Sequence, residues 1–152
     1  MNDLGYCYEN GEGVKKNIAM AFQWYKKAAE AGNGQGMLNL GNCYRQGDGT
    51  KKNESSAFAW YKKAAEAGVE EGMYNLALCY YHRIGTPRLP EQALYWMQKA
   101  ADLGYGPAYI GLAEIYYSGV LGKPDGAEAK KWLEKAVEAR VEGAEELLKL
   151  MK

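Results

Sequence analysis

The side chains in this sequence that could support catalysis or metal binding are three cysteines and a single histidine. Cys7, Cys43 and Cys79 are spaced 36 residues apart, and His82 lies at the end of a predicted helix. A cysteine nucleophile requires an adjacent base, and a zinc site requires closely spaced Cys and His ligands. The sequence suggests neither arrangement, because the cysteines occupy one position of a repeat. It therefore predicts no enzyme activity, no catalytic residue, no metal site and no cofactor.

The number and spacing of the cysteines also predict free thiols. An odd count with wide spacing is not typical of a disulfide framework. Equivalent atoms in stacked helix pairs lie about 10 Å apart, whereas a disulfide requires Cα atoms within about 7 Å. We expect buried thiols and favour a reducing compartment, the cytoplasm, although the sequence leaves the localisation unknown. Met1 falls partway into a repeat, so the sequence also leaves open whether a signal or flanking repeats are missing.

The glycine and lysine motifs do not indicate a phosphate-binding or nucleic-acid-binding site. Gly11-Glu12-Gly13 and Gly47-Asp48-Gly49 lack the Lys-Ser/Thr of a phosphate-binding loop, and neither follows a predicted strand. The paired lysines are accompanied by glutamates, which is typical of a solvated surface. The 19 Lys and Arg residues balance 19 Asp and Glu residues, and no segment is long and apolar enough to span a membrane. We predict no nucleic-acid partner and no membrane association.

A 36-residue repeat must position these side chains. The four units carry tryptophans at even spacing: Trp24, Trp60, Trp96 and Trp132. Each begins a related segment, of which Trp24-Tyr25-Lys26-Lys27-Ala28-Ala29 is the first. A constant period in this range indicates stacked supersecondary units. No linker divides the chain, so we predict a single repeat domain over residues 1–152.

Each unit is predicted to form two helices. Leu40 and Tyr44 share one face of the first helix of unit two, and Ala57, Tyr61 and Ala64 share one face of the second. N-caps are predicted at Asn17, Asn53 and Asp125, whose side chains can accept hydrogen bonds from the first helical turn. The predicted helices span residues 2–10, 17–31, 34–46, 53–67, 70–82, 89–103, 106–118, 125–139 and 142–151. The fold class is therefore all-α.

The most regular motif lies in unit two and resembles a known family. It consists of Leu40-Gly41-x-x-Tyr44, Gly47-x-Gly49, Ala57-x-x-Trp60-Tyr61-Lys62-Lys63-Ala64-Ala65 and Gly68. This motif resembles the Sel-one-like repeat (SLR), a relative of the tetratricopeptide repeat. The 36-residue period and the Gly-x-Gly loop favour the Sel-type repeat, because the tetratricopeptide period is 34 residues. The resemblance covers nearly the whole chain.

The resemblance implies a right-handed α-solenoid in which the first helix of each unit lines the concave side. It also implies an adaptor or scaffold for protein complexes. A secreted subset of the family carries cysteine pairs, but this chain has Ala29 and Met37 at the first pair of positions and no cysteine at the later ones. The chain is therefore not expected to be of the disulfide-linked kind. The two-carboxylate clamp of tetratricopeptide proteins is not expected either, because Pro107 and Gly111 stand at its basic positions.

One stripe of the first helices is predicted to face the groove. It lies about 100° round from the core face, and its residues differ from unit to unit while the core positions repeat. We call these residues the groove stripe: Tyr6, Glu9, Leu38, Asn42, Arg45, Tyr74, Leu78, Tyr81, Ile110, Glu114 and Tyr117. The alternative is that several of these rings pack between neighbouring helices.

The sequence therefore predicts a protein-interaction scaffold that binds a protein or an extended peptide in the concave groove. The alternative is a structural or engineered repeat array that has no ligand. Self-association is a further prediction, because an incomplete first unit would expose the apolar side of Leu4 and Tyr8.

Overall fold

A computed structural model describes residues 1–151, and these form nine α-helices and no strand. The helices are α1 (Asn2–Asn10), α2 (Ile18–Glu30), α3 (Gly34–Gln46), α4 (Glu54–Glu66), α5 (Glu70–His82), α6 (Pro90–Asp102), α7 (Gly106–Ser118), α8 (Gly126–Glu138) and α9 (Ala144–Leu150). The predicted all-α architecture is confirmed, and every predicted helix is present with ends shifted by at most two residues. No helix in the described part of the chain is long and apolar enough to cross a membrane.

The helices pack in chain order, each principally against the one before it and the one after it. We refer to α1, α3, α5, α7 and α9 as A helices and to α2, α4, α6 and α8 as B helices. Small residues at repeated positions, such as Ala57 and Ala93, are fully buried and allow close helix contact. Leu40, Leu76 and Leu112 are also 0% exposed. The result is a repeat solenoid whose core continues from one unit to the next.

Side-chain N-caps explain where three of the four B helices, α2, α4 and α8, begin. The side chains of Asn17, Asn53 and Asp125 accept hydrogen bonds from the backbone N–H groups of residues 20, 56 and 128, at 3.0, 2.9 and 2.9 Å. Each bond satisfies a first-turn donor that has no partner within the helix. These three predicted caps are confirmed. Asn33 caps α3 in the same way and was not predicted.

The loop of unit three keeps its turn without the usual glycine. Arg83 adopts a left-handed conformation with φ of 64°, at the repeat position that Gly47 occupies with φ of 85°. Two residues later the backbone lies so close to α4 that a Cβ on Gly85 would come within 2.2 Å of the Glu54 carbonyl oxygen. The loop therefore rests on the first turn of the preceding B helix.

The N-terminal end of the solenoid is less covered than its interior. Leu4 is 38% exposed, whereas the leucines at the same position in units two to four are fully buried. Tyr8 is half-buried and packs against the core of the first two units. The self-association suggested by these residues stays a prediction.

Candidate binding groove

The groove stripe lies on the A helices α1, α3, α5 and α7, and most of it is accessible. Tyr6 and Tyr117 are 50% and 63% exposed, and Glu114 is also exposed. Seven further members are half-buried: Glu9, Asn42, Arg45, Tyr74, Leu78, Tyr81 and Ile110. Of these, the apolar and aromatic members pack partly against the core. These side chains contact the core and also reach the surface, so they are neither fully packed between neighbouring helices nor fully exposed.

Leu38 differs from the expectation. It is 1% exposed and belongs to the core cluster of units two to four. Its side chain is therefore not available to a partner. Tyr74 occupies the same repeat position one unit later, and there the larger ring extends toward Tyr105, with ring centroids 5.3 Å apart. A position near the start of an A helix therefore faces the junction between units more than the open groove.

A small polar pocket lies at the junction of the first two units. We call it the polar pocket; it encloses about 90 Å³ and is lined by Glu9, Tyr25, Asn39, Asn42, Cys43, Gln46 and Asp48. The Tyr25 hydroxyl donates a hydrogen bond to the Glu9 carboxylate. Burial raises the pKa of Tyr25, and the hydrogen bond to Glu9 and the negative charge of that carboxylate raise it further. The Tyr25 hydroxyl therefore stays protonated as a donor.

The next unit repeats this arrangement with different partners. The Tyr61 hydroxyl donates to Asn42 Oδ1 at 2.8 Å, which fixes the orientation of the Asn42 amide. Burial raises the pKa of Tyr61 to about 12, against the opposing effect of the nearby Arg45 cation. Two members of the groove stripe, Glu9 and Asn42, are thus held in place by buried tyrosines of the B helices.

A larger apolar pocket lies at the C-terminal end of the groove stripe. We call it the apolar pocket; it encloses about 430 Å³ and is lined by Ile110, Ala113, Glu114, Tyr117, Leu133, Leu147, Leu150 and Met151. Three of these residues belong to the groove stripe. Ala113 also lies on α7, Leu133 lies on α8, and the others belong to residues 147–151. In that segment Leu147 and Leu150 are 39% and 83% exposed. Two adjacent A helices and the B helix between them thus build this site.

Catalytic chemistry finds little support in these residues. Cys43 and Cys79 are free and buried, and burial raises the pKa of each thiol to about 12, so both are protonated at neutral pH. His82 is exposed at the end of α5 and meets the Tyr81 ring edge-on, with centroids 4.8 Å apart. Among the described residues, no group of three or more His, Cys, Asp or Glu side chains is placed to hold a metal ion.

Among the residues that line the two pockets, the predicted groove stripe contains only Glu9, Asn42, Ile110, Glu114 and Tyr117. The B-helix residues at the pockets were not predicted. Tyr25 and Leu133 occupy one repeat position, which holds Tyr61 and Met97 in the two intervening units. This position changes from tyrosine to aliphatic along the chain, as the groove stripe does. The variation at this position was therefore visible in the sequence, but the sequence did not show that its side chains line the two pockets.

An all-α solenoid of stacked helix pairs, with a varied face on its A helices, defines the class of this protein as a helical repeat protein. The family model for the Sel1 repeat matches four consecutive segments: residues 1–33, 34–69, 70–105 and 106–140. The chain belongs to the Sel1 repeat family, and the predicted resemblance is confirmed. Members of this family are generally protein-interaction scaffolds, and the fold is typically non-catalytic.

Solved structures agree with this assignment. A Sel1 repeat protein from Oxalobacter formigenes is 35% identical with a TM-score of 0.92, over 97% of this chain and 59% of that one. The protein c5321, a protective antigen of uropathogenic Escherichia coli strains with an SLR fold, is 30% identical with a TM-score of 0.92, over 97% of this chain and 32% of its own. Cysteine rich protein B of Helicobacter pylori is 26% identical with a TM-score of 0.65, over 91% and 99% of the two chains.

This chain thus spans 59% and 32% of the lengths of the first two proteins. No curated protein matches its sequence.

Proposed function

We propose that this protein is a non-enzymatic interaction scaffold that binds an extended segment of another protein along the groove stripe. The observation that carries the proposal is the apolar pocket of about 430 Å³ beside Tyr117, which is 63% exposed. Exposed apolar and aromatic side chains beside a pocket are typical of protein interaction sites, and Tyr is enriched among the residues that dominate binding energy.

The helices that carry the groove stripe favour binding without a large rearrangement. Glu9 and Asn42 are each hydrogen-bonded to a buried tyrosine, and the A helices are packed against B helices on their core side. A site formed by rigid elements loses little conformational entropy when a partner binds. This preorganisation supports the binding of a segment that is itself extended and flexible.

A selection from a displayed peptide library on the folded protein tests the proposal. The counter-target is the Tyr81→Ala/Tyr117→Ala double variant, which removes two rings of the groove stripe. Tyr95→Ala is the matched control, because Tyr95 is 50% exposed but lies on the B helix α6. We expect enriched peptides to bind the unmodified protein and Tyr95→Ala, and to lose binding to the double variant, while circular dichroism shows all three folded.

Two results would contradict the proposal. If no peptide is enriched on well-folded protein, the chain is better described as a structural array without a peptide ligand. If the enriched peptides bind the Tyr81→Ala/Tyr117→Ala variant as well as the unmodified protein, the binding surface lies elsewhere on the solenoid.

A further inference from the structure

The polar and apolar pockets are the same site of the repeat, built three units apart. A shift of three repeats along the sequence takes Glu9 to Tyr117 and Tyr25 to Leu133. The same shift relates the α3 and α9 members of the pockets: Asn39 to Leu147, Asn42 to Leu150 and Cys43 to Met151. Five positions thus line both pockets. The same repeat positions therefore build both pockets, and the side chains at these five positions give each pocket its chemistry.

The polar pocket is negatively charged. It contains the carboxylates of Glu9 and Asp48, and within residues 1–151 neither forms an ion pair with a basic side chain. Burial raises the pKa of the adjacent Cys43 thiol, and the negative charges of Glu9 and Asp48 raise it further. A cationic side chain entering this pocket would therefore meet two uncompensated carboxylates and the amides of Asn42 and Gln46.

One unit along, the repeat position of Glu9 carries the opposite charge. Arg45 occupies the repeat position of Glu9, and it lies close enough to the Tyr61 hydroxyl to oppose the rise in the Tyr61 pKa that burial causes. A cationic side chain is repelled there, since like charges at an interface oppose binding. This difference in charge between Glu9 and Arg45 favours one register of a bound chain. In that register the basic side chain of the partner lies at the polar pocket and not beside Arg45, one unit further on.

The apolar pocket selects a different side chain. Leu133, Leu147 and Leu150 replace the tyrosine and the two asparagines of the polar pocket, and Tyr117 adds an aromatic wall. Glu114 contributes one carboxylate at the rim and is exposed. A cavity of about 430 Å³ with this lining accommodates a side chain the size of Leu, Ile or Phe.

The distance between the pockets fixes how far apart these two side chains lie on the partner. Equivalent helices of neighbouring units are about 10 Å apart, so three units separate the pockets by about 30 Å. An extended chain advances about 3.3 Å per residue, so about nine residues bridge this distance.

We infer that the partner is an extended protein segment with two anchors: a Lys or Arg side chain for the polar pocket, and a large aliphatic or aromatic side chain about nine residues away for the apolar pocket. This inference rests on the proposed function, because it specifies the chemistry of the segment bound there. The two anchors occur in one order or the other, depending on the direction in which the segment lies along the groove.

The test is the composition of the peptides enriched from a random library of about 16 residues. We expect the enriched peptides to share a basic and a large apolar residue about eight to ten positions apart, in one consistent order. A synthetic peptide of this kind, followed by fluorescence polarisation, should bind less tightly as the NaCl concentration is raised, because salt screens the charge interaction.

Charge-neutral variants test whether the carboxylates of the polar pocket bind the basic anchor of the peptide. In Glu9→Gln/Asp48→Asn the hydrogen-bond acceptor for Tyr25 is kept while both charges are removed. This variant should bind the peptide about tenfold less tightly, and it should not further weaken a peptide whose basic residue is replaced by Ala. Glu12→Gln/Glu30→Gln is the matched control, because both side chains are exposed and lie outside the pocket. Leu150→Glu should weaken binding through the apolar anchor alone.

The outcomes separate this inference from the proposed function. Enriched peptides that need Tyr117 but lack the paired anchors, or that bind Glu9→Gln/Asp48→Asn unchanged, overturn the two-anchor inference and leave the groove as a peptide site. Enrichment of no peptide on folded protein overturns both.

Discussion

The ring of Tyr61 lies against the backbone of Gly41, where a Cβ atom would come within 2.8 Å of ring atom Cδ1. The same contact joins Gly5 and Tyr25, where the distance to the added Cβ would be 2.6 Å. At these two repeat positions, units three and four have alanine with an aliphatic residue: Ala77 with Met97, and Ala113 with Leu133. Within this one chain, glycine therefore occurs where the paired residue is tyrosine, and alanine occurs where the paired residue is methionine or leucine.

The first prediction is that Gly41→Ala destabilises the protein. Overpacking typically costs about 1–3 kcal/mol, and Tyr61 is fully buried, so its ring has little room to move. Alanine is more favourable than glycine in a helix by roughly 1 kcal/mol, which offsets part of this cost. We expect a net loss of up to about 2 kcal/mol in the free energy of unfolding, measured by urea denaturation.

The control for this substitution is built from the chain's own alternative pair. In a Tyr61→Met background, Gly41→Ala should be neutral or stabilising, because it recreates the Ala77 and Met97 combination. Gly126→Ala should be harmless in either background, since nothing lies within 4 Å of the added Cβ. An equal loss of stability with Tyr61 and with Met at position 61 would show that the ring contact does not limit this site.

The second prediction concerns the left-handed turn after each B helix. Arg140 has φ of 56° at the position where Gly104 has φ of 83°. A non-glycine residue in this region costs roughly 1–2 kcal/mol. The exposed Arg140 forms no ion pair within residues 1–151, so Arg140→Gly should raise the free energy of unfolding by about 1 kcal/mol. The reciprocal Gly104→Arg should lower it by a similar amount, and a loss in both variants would contradict the argument.

The third prediction is a loss of stability at alkaline pH. Burial raises the pKa of the Cys43 and Cys79 thiols from the ordinary value of 9.0 to about 12. Above pH 9 the unfolded chain therefore releases protons that the folded chain retains, so the free energy of unfolding falls as the pH rises toward 12. Urea denaturation in the presence of a reductant should show little change from about pH 6 to 8 and a decline above 9.

Cys79→Ala tests the source of this decline. The variant should be less stable at neutral pH because it loses a fully buried side chain, yet its stability should fall less steeply above pH 9. A slope unchanged by the substitution would assign the decline to other groups, such as Tyr61, whose pKa burial also raises.

The fourth prediction distinguishes two tryptophans of the repeat. Trp132 is 8% exposed and stacks on Tyr109, with ring centroids 6.1 Å apart. Trp132→Ala should cost about 3–5 kcal/mol, as for other large buried aromatics. Trp60 is half-buried and covered on one side by the Lys63 ammonium, 4.0 Å from the ring centroid. Trp60→Ala should cost less, about 1–3 kcal/mol, and thermal or urea unfolding of both variants gives the comparison.

Features that depend on nearby residues could be predicted from the sequence. Asn53 caps α4 because its own side chain reaches a backbone N–H three residues on, and the helix faces follow from the spacing of residues such as Leu40 and Tyr44. These relationships involve one helix or one turn. The 36-residue period then placed equivalent helices in equivalent surroundings, which is why helix ends were predicted to within two residues.

The candidate site depends on relationships between units, and these were only partly predictable. Leu38 is buried in the core cluster of units two to four, and this burial cannot be deduced from the periodicity of α3 alone. The apolar pocket requires Tyr117 and Leu150 to face the same space from two different A helices. The sequence provided the residues of α7, but the position of α9 relative to α7 had to come from the structure.

The packing of each helix against its neighbours in sequence has a consequence for folding. Nearly all the stabilising contacts join segments close together along the chain, so little loop-closure entropy opposes their formation, and chains of this kind fold rapidly. In such an arrangement the units open separately. Among the described helices, α1 packs principally against α2 alone and α9 principally against α8 alone. Amide hydrogen exchange should therefore be fastest in α1 and α9 and slowest in α4 and α5. Because α9 contributes Leu147 and Leu150 to the apolar pocket, this pocket exists only while α9 is folded.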